Sequence, residues 1–212
     1  MLDEHDLKVR MLNRLRRDNR ISGKSVIANE FRIGETGVRA DLAVLGRHFL
    51  GIEVKSPKDS LRRLASQTQT YLRTFDITIL LIAERHLSSL PQTLKDVEIW
   101  TADKSGFLTK VGQAPRTVTR KNAELRTILN TRQLRILERA EAASSEASAR
   151  RIFEEGFRRS YQKNSDRFWA DVAGRRIERA DLLTLSNYRE LRSHAKKKLE
   201  ARMSAFRSWG SD

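Results

Sequence analysis

Three short stretches, 26–32, 39–45 and 49–55, are mostly apolar and rich in β-branched residues, and turn residues separate them. Ser22-Gly23 precedes the first, Gly34 to Gly37 follow it, and Gly46 stands before the third. Runs of this length between glycines read as strands, and three in succession predict a meander. An all-helical fold is therefore excluded. Ile77 to Ala83 is the most hydrophobic run of the chain. It predicts a buried central strand, parallel to a neighbour, because such strands lose polar alternation. Val97 to Thr101 and Phe107 to Val111 read as two more strands joined through Asp103 to Gly106, after a short helix near His86 to Leu94.

Helical spacing appears between these runs. Leu7, Met11, Leu12 and Leu15 predict an amphipathic helix over Asp6 to Arg17. Leu61, Leu64 and Leu72 predict another over Ser60 to Thr74, capped by Asp59 or Ser60. Residues 1–114 thus form an α/β core, a mixed sheet flanked by helices. Residues 115–212 read as an α-helical C-terminal extension. There Asn122 to Lys163 are helix formers, with apolar positions from Leu125 to Tyr161. The Ala/Ser/Glu-rich patch from Ala140 to Ala149 reads as solvated helix or as linker, and further helices are expected over 167–172 and 179–207.

The 42 Lys and Arg exceed the 27 Asp and Glu, a formal net charge of +15. The excess is uneven: bases outnumber acids by 19 to 14 up to residue 114, and by 23 to 13 beyond it. A field of that sign attracts polyanions, nucleic acid foremost. The chain has no cysteine, which excludes disulfides, thiolate zinc sites, iron–sulfur clusters and cysteine nucleophiles. No apolar run is long enough to span a bilayer, and the acidic start Asp3-Glu4-His5-Asp6 is not a secretion signal, so the expected location is the cytoplasm with no membrane partner.

Against this background the acids on the predicted strands stand out. Glu30, Asp41 and Glu53 each fall in an apolar run, and Glu53-Val54-Lys55 places Glu53 and Lys55 on one face, since side chains alternate. A lone E-x-K on a strand is ordinarily a solvent-facing ion pair worth little. Here a second acid, Asp41, precedes Glu53 by the spacing of a hairpin, and Glu30 adds a third. Carboxylates gathered in a half-buried sheet destabilise it unless a cation offsets them. Two carboxylates and an ammonium are the equipment of metal-assisted phosphodiester hydrolysis.

These residues resemble the PD-(D/E)xK nuclease superfamily. The motif reads Ala40-Asp41, an 11-residue gap, then Glu53-Val54-Lys55, followed by a Q-x-x-x-Y signature in Gln67-Thr68-Gln69-Thr70-Tyr71. Alanine stands where the motif name has proline; that position supplies no ligand. The wider string with Asp59, Arg63-Leu64 and Phe75-Asp76 resembles a bacterial and phage branch of that superfamily. The resemblance implies a restriction-endonuclease-like sheet. Asp41 and Glu53 would hold Mg²⁺, with Mn²⁺ as substitute, joined by the backbone carbonyl of Val54. Lys55 would orient the attacking water or stabilise developing charge. Glu30 would bind a second metal or reach the first through water, and Gln67 would orient substrate or water. Tyr71 has two readings, contact with DNA or packing on its helix.

Other residues receive lesser roles. Lys58, Arg62 and Arg63 flank the site as phosphate contacts. Glu4 and Asp6 read first as helix caps and second as approaching the metal. His48, His86 and His194 read as surface residues. Tyr161, Phe168 and Trp169 read as core more than as base-stacking platforms. Arg150-Arg151, Arg158-Arg159, Arg175-Arg176 and Lys196-Lys197-Lys198 suggest a DNA-gripping arm, with Arg158 and Arg159 as its contacts; RNA binding or bracing of a homodimer are alternatives. The expectation is a metal-dependent deoxyribonuclease, more endonuclease than exonuclease. The alternative is a nucleic-acid-binding or regulatory module that keeps the nuclease fold without turnover.

Overall fold

The computed structural model describes residues 2–91, 94, 96–111, 125–126, 128–142 and 148–185. Helix α1 (Glu4–Arg17) leads into strands β1 (Val26–Arg32), β2 (Arg39–Leu45) and β3 (Phe49–Lys55). Helix α2 (Leu64–Thr74) follows, then β4 (Ile77–Ala83), a 3-10 turn at Glu84–Ser89, β5 (Val97–Ala102) and β6 (Leu108–Val111). Helices α3 (Thr131–Ala142) and α4 (Ala149–Asp171) and a 3-10 turn at Arg179–Leu183 complete the described chain. The six strands form one sheet in sequence order. β1, β2 and β3 are the expected antiparallel meander, β4 runs parallel to both β3 and β5, and β6 returns antiparallel. The fold is mixed α/β, a sheet flanked by helices.

Each helix is set by a local cause. Asp3, not Glu4 or Asp6, is the N-cap of α1, and Asp6 completes the cap: the Asp3 carboxylate accepts from the Asp6 N–H at 3.0 Å while Asp6 accepts from the Asp3 N–H at 3.1 Å. Such a reciprocal cap is worth about 1 kcal/mol. The stripe Leu7, Met11, Leu12 and Leu15 is buried against one sheet face, with Ile27, Leu42, Val44, Ile52, Val54, Ile79 and Leu81. Truncating Leu12 there to alanine would cost about 2–5 kcal/mol. α2 begins four residues later than expected, because Asp59 does not cap it. Its carboxylate instead accepts from the Ser56 N–H at 2.7 Å and the Ser56 hydroxyl at 2.6 Å, which ties down the loop after β3. The other face of β1–β3 carries edge-to-face aromatics: Phe31, Phe49, Phe75, Phe153 and Phe157. Gly51 belongs to this layer, since a Cβ there would lie 2.1 Å from the Phe75 ring.

The division at residue 114 does not coincide with a break in the core. Leu125, Ile128, Leu129, Leu137, Ile152, Phe153 and Phe157 join the aromatic layer, and Phe168, Trp169, Val172, Ile177, Leu182 and Leu185 join the α1 layer. Phe168 and Trp169 are therefore core, and Tyr161 packs half-buried beside Phe157. α4 lies along the outer edge of β1: Ser165 Oγ accepts from the Ile27 N–H at 2.8 Å, and the Trp169 indole N–H donates to the Ser25 carbonyl at 2.7 Å. An edge strand left open is a template for another chain, and this helix covers it. The arginine doublets are partly spent on the fold. Arg150 makes two bonds to Asp76, at 3.0 and 2.9 Å, and Arg175 pairs with Asp181 at 2.8 Å. Lys196 to Lys198, His194, half of the 140–149 patch and most of the 179–207 helix lie outside the described residues.

Candidate active site

The strand registers bring the three acids into one row. β1 and β2 pair Asn29 with Leu42 and Phe31 with Ala40, so Glu30 and Asp41 sit at the level between. β2 and β3 pair as far as Leu42 and Ile52, so the next facing position joins Asp41 to Glu53. At this level the ladder gives way. Glu30 has φ 61°, a left-handed conformation costing a non-glycine residue about 1–2 kcal/mol. Side-chain alternation slips there: Asn29 and Glu30 both reach toward α1, while Phe31 and Ala40 turn to the aromatic layer. On β2 the Asp41 side chain takes over a backbone role, Oδ2 accepting from the Val54 N–H at 2.6 Å.

The expected E-x-K pair is formed. Lys55 Nζ lies 2.6 Å from Glu53 Oε1 and donates to Gln67 Oε1 at 3.2 Å. Gln67 and Tyr71 are one turn apart on α2, and both face β3; the Tyr71 hydroxyl donates to Glu53 Oε2. Tyr71 is 0% exposed. The DNA-contact reading of this residue is thereby corrected, because its hydroxyl is enclosed between Glu53 and the sheet. Burial, then the charges of Glu53 and Asp41, push its phenol well above the usual range, so it stays a proton donor to Glu53.

One member was missed from sequence: Lys8, 0% exposed, whose ammonium sits among the acids. Its Nζ lies 2.6 Å from Glu4 Oε1, bonds Glu30 Oε1, donates to Asn29 Oδ1 at 3.2 Å, and is 4.0 Å from Asp41 Oδ1. Burial disfavours this charge, but Asp41, Glu30 and Glu4 outweigh it and hold the lysine above its ordinary pKa. The signal was present: Lys8 is one turn from Leu12 and Met11 on the apolar stripe, where a base needs a buried partner. Arg39 Nε approaches Glu30 Oε2 at 2.6 Å, as an ion pair and not an aligned hydrogen bond. Oxygens of Glu4, Glu30 and Asp41 all lie within 4.8 Å of one another. The second reading of Glu4, an approach to the acidic site, is the one its geometry matches; Asp6 stays in the cap.

Asp41 is the electrostatically expensive member. Burial first, and the facing Glu53 charge second, raise its carboxyl to about 8, against the pull of Lys8 and the Val54 N–H. A divalent cation between Asp41 and Glu53 would relieve that cost. The donor set is all oxygen, which suits Mg²⁺ or Mn²⁺.

The basic residues are less concentrated. Lys58, Arg62 and Arg63 are exposed on the loop between β3 and α2, beside Lys55 and Gln67. Arg158 and Arg159 are exposed on α4, a helix that supports the aromatic layer through Phe153 and Phe157. His86 is not a surface residue: it is buried, its Nε2 2.9 Å from the Ser56 carbonyl, so it braces the loop behind Lys55. His48 is half-buried. Among the described residues no helix is long and apolar enough to cross a membrane.

Comparison with known proteins gives a family. The family model of bacteriophage P4 protein cII matches residues 1–186. Protein cII of Enterobacteria phage P4 is 26% identical over 143 residues, covering 61% of this chain and 54% of the relative. The chain thus spans about half the length of the curated relative it matches. Among solved structures, the SPO1766 protein of unknown function from Silicibacter pomeroyi aligns with a TM-score of 0.43 and 20% identity, over 68% of this chain and 92% of that one. The chain belongs to the bacteriophage P4 protein cII family.

Proposed function

For this member of the bacteriophage P4 protein cII family we propose a metal-dependent deoxyribonuclease, acting as an endonuclease on DNA in the cytoplasm of a phage-infected bacterium. The observation that carries the reading is the Asp41–Glu53 pair: two facing carboxyls, Glu53 buried and Asp41 half-buried, the latter raised to about 8, with Lys55 one position further along the same face. As structural elements alone these groups cost stability; as ligands they are ready for a cation. The relation to the PD-(D/E)xK superfamily remains part of the proposal, as do DNA as partner and a homodimer that would cut both strands.

Asp41 and Glu53, with the Val54 carbonyl, would hold Mg²⁺ or Mn²⁺. The ion would lower the pKa of a bound water and offset charge on the phosphate. The chain's own groups do the rest. Gln67 holds the Lys55 ammonium toward Glu53, where it can orient a water or meet developing charge. Tyr71 fixes the Glu53 carboxylate from behind, and the Val54 N–H fixes Asp41. Lys58, Arg62 and Arg63, on the loop that follows Lys55, supply exposed charge for the DNA backbone.

A second reading, a DNA-binding module without turnover, is favoured by one observation: Lys8 already pairs acids of the row. The deciding experiment incubates the protein with supercoiled plasmid, linear duplex and single-stranded DNA in Mg²⁺, Mn²⁺ or EDTA, beside Lys55→Ala. Metal-dependent cutting absent in the variant supports the nuclease. Equal DNA binding with no cutting by either protein supports the module.

A further inference from the structure

The acidic row holds more carboxylates than one cation needs, and the fold supplies a cation of its own. An ammonium has three N–H donors. Those of Lys8 face Glu4, Glu30 and Asn29, which leaves Asp41 Oδ1 at 4.0 Å, outside hydrogen-bond range. The carboxylate oxygens of Glu4, Glu30 and Asp41 lie within 4.8 Å of one another, a cage of the size a hard divalent ion occupies. Lys8 is the side chain inside it, with no exposed surface. Glu30 is doubly committed, one oxygen to Lys8 and the other to Arg39 at 2.6 Å.

We infer that Lys8 is the resident cation of the Glu4–Glu30–Asp41 cage, closing it to a second metal so that the chain takes a single divalent ion, at Asp41 and Glu53. This rests on the metal-dependent reading above. It reassigns Glu30 from ligand of a metal to partner of a lysine. Lys8 becomes a positioning residue: by neutralising Glu4 and Glu30 it leaves Asp41 turned toward Glu53. Withdrawing the ammonium would leave the half-buried Glu30 and Asp41 without the cation they share, so the cage stays shut while the protein is folded.

The test counts metal without reference to cutting. Mn²⁺ is titrated into the full chain and free ion is read by its electron paramagnetic resonance, for the wild type, Lys8→Met and Glu30→Gln, each checked for fold by circular dichroism. The expected counts are one ion for the wild type, two for Lys8→Met, and one for Glu30→Gln with affinity within about threefold of wild type. Two ions in the wild type, or one in a folded Lys8→Met, would overturn the inference. Should Lys8→Met fail to fold, Glu30→Gln decides: a loss of affinity beyond about tenfold makes Glu30 a metal ligand and sinks the idea, and an unchanged count upholds it. The nuclease reading fails separately. A count rising by one on removing Lys8, in a protein that cuts no DNA, keeps the resident lysine and discards the enzyme; no ion in any variant discards both.

Discussion

Two regions of the sheet bury charge, and they do so in opposite ways. On β5, Glu98 is buried with Arg20 Nη1 at 2.5 Å, Lys110 Nζ at 3.2 Å and the Trp100 indole N–H at 2.7 Å. Burial works against its charge, yet the indole, Arg20 and Lys110 together hold the carboxyl below its ordinary value. On β1–β3, Asp41 and Glu53 face each other, and Asp41 is raised to about 8. A single acid surrounded by donors is a finished structural device. A pair of facing acids, one of them raised to about 8 although Lys8 and Lys55 stand to either side, is not balanced in this way. Burial of charge by itself therefore says little about function; the balance of signs around it does.

The sharpest way to break this comparison is Asp41→Asn. Metal-dependent cutting of plasmid is expected to fall at least about a hundredfold, or about 2.7 kcal/mol of barrier; retention of full activity would place the chemistry elsewhere. Glu98→Gln should do the reverse. Leaving Arg20 and Lys110 without their carboxylate costs roughly 1.5–3 kcal/mol, about 3–12 °C in Tm for a chain this size, with Mn²⁺ affinity unchanged. A loss of metal binding on that substitution would show the two regions to be one. Tyr71→Phe removes only the hydroxyl behind Glu53, and a drop of about tenfold in Mn²⁺ affinity is expected, measured calorimetrically. No change would make Tyr71 a packing residue alone.

The smallest effect is on stability against pH. The Asp41 carboxyl is raised in the folded chain, so between about pH 4 and 8 the native state keeps a proton that the unfolded state releases. Its stabilising share is complete below the unfolded value and is lost as pH rises through 8. In EDTA the wild-type Tm should fall by a few degrees relative to Asp41→Asn between pH 5 and pH 9. A wild type that gained on the variant over that range would contradict the raised carboxyl.

Much of the fold was legible because strand signals here are local. The bounds of β1 to β4 follow from β-branched runs and the glycines between them, and the parallel β4 from its unbroken hydrophobicity. The pairing of Glu53 with Lys55, and of Gln67 and Tyr71 with that strand, follows from periods of 2 and 3.6. What sequence hid depends on distant partners. Asp59 reads as a cap but is taken by Ser56, and His86 reads as exposed but seats against the same loop. Lys8 stands on the apolar stripe of its helix, which signals a buried partner, but only the fold shows that the partners include Glu30 and Asn29. Arg158 and Arg159 made the second half look like an arm, while the buried faces of the same helix carry Phe153, Phe157 and Phe168 into the core.

Ser165 meets Ile27 across 138 positions of the chain. At a synthesis rate of about 5–20 residues per second, β1 is made about 7–28 seconds before the helix that covers it. For that interval its outer edge is unattended, and neighbouring chains on the same message offer strands of identical sequence. α4 is thus a late-arriving guard, and how soon it docks governs how much newly made protein stays single rather than joined edge to edge. Faster elongation through residues 33–171 would shorten the exposure; a pause there would lengthen it.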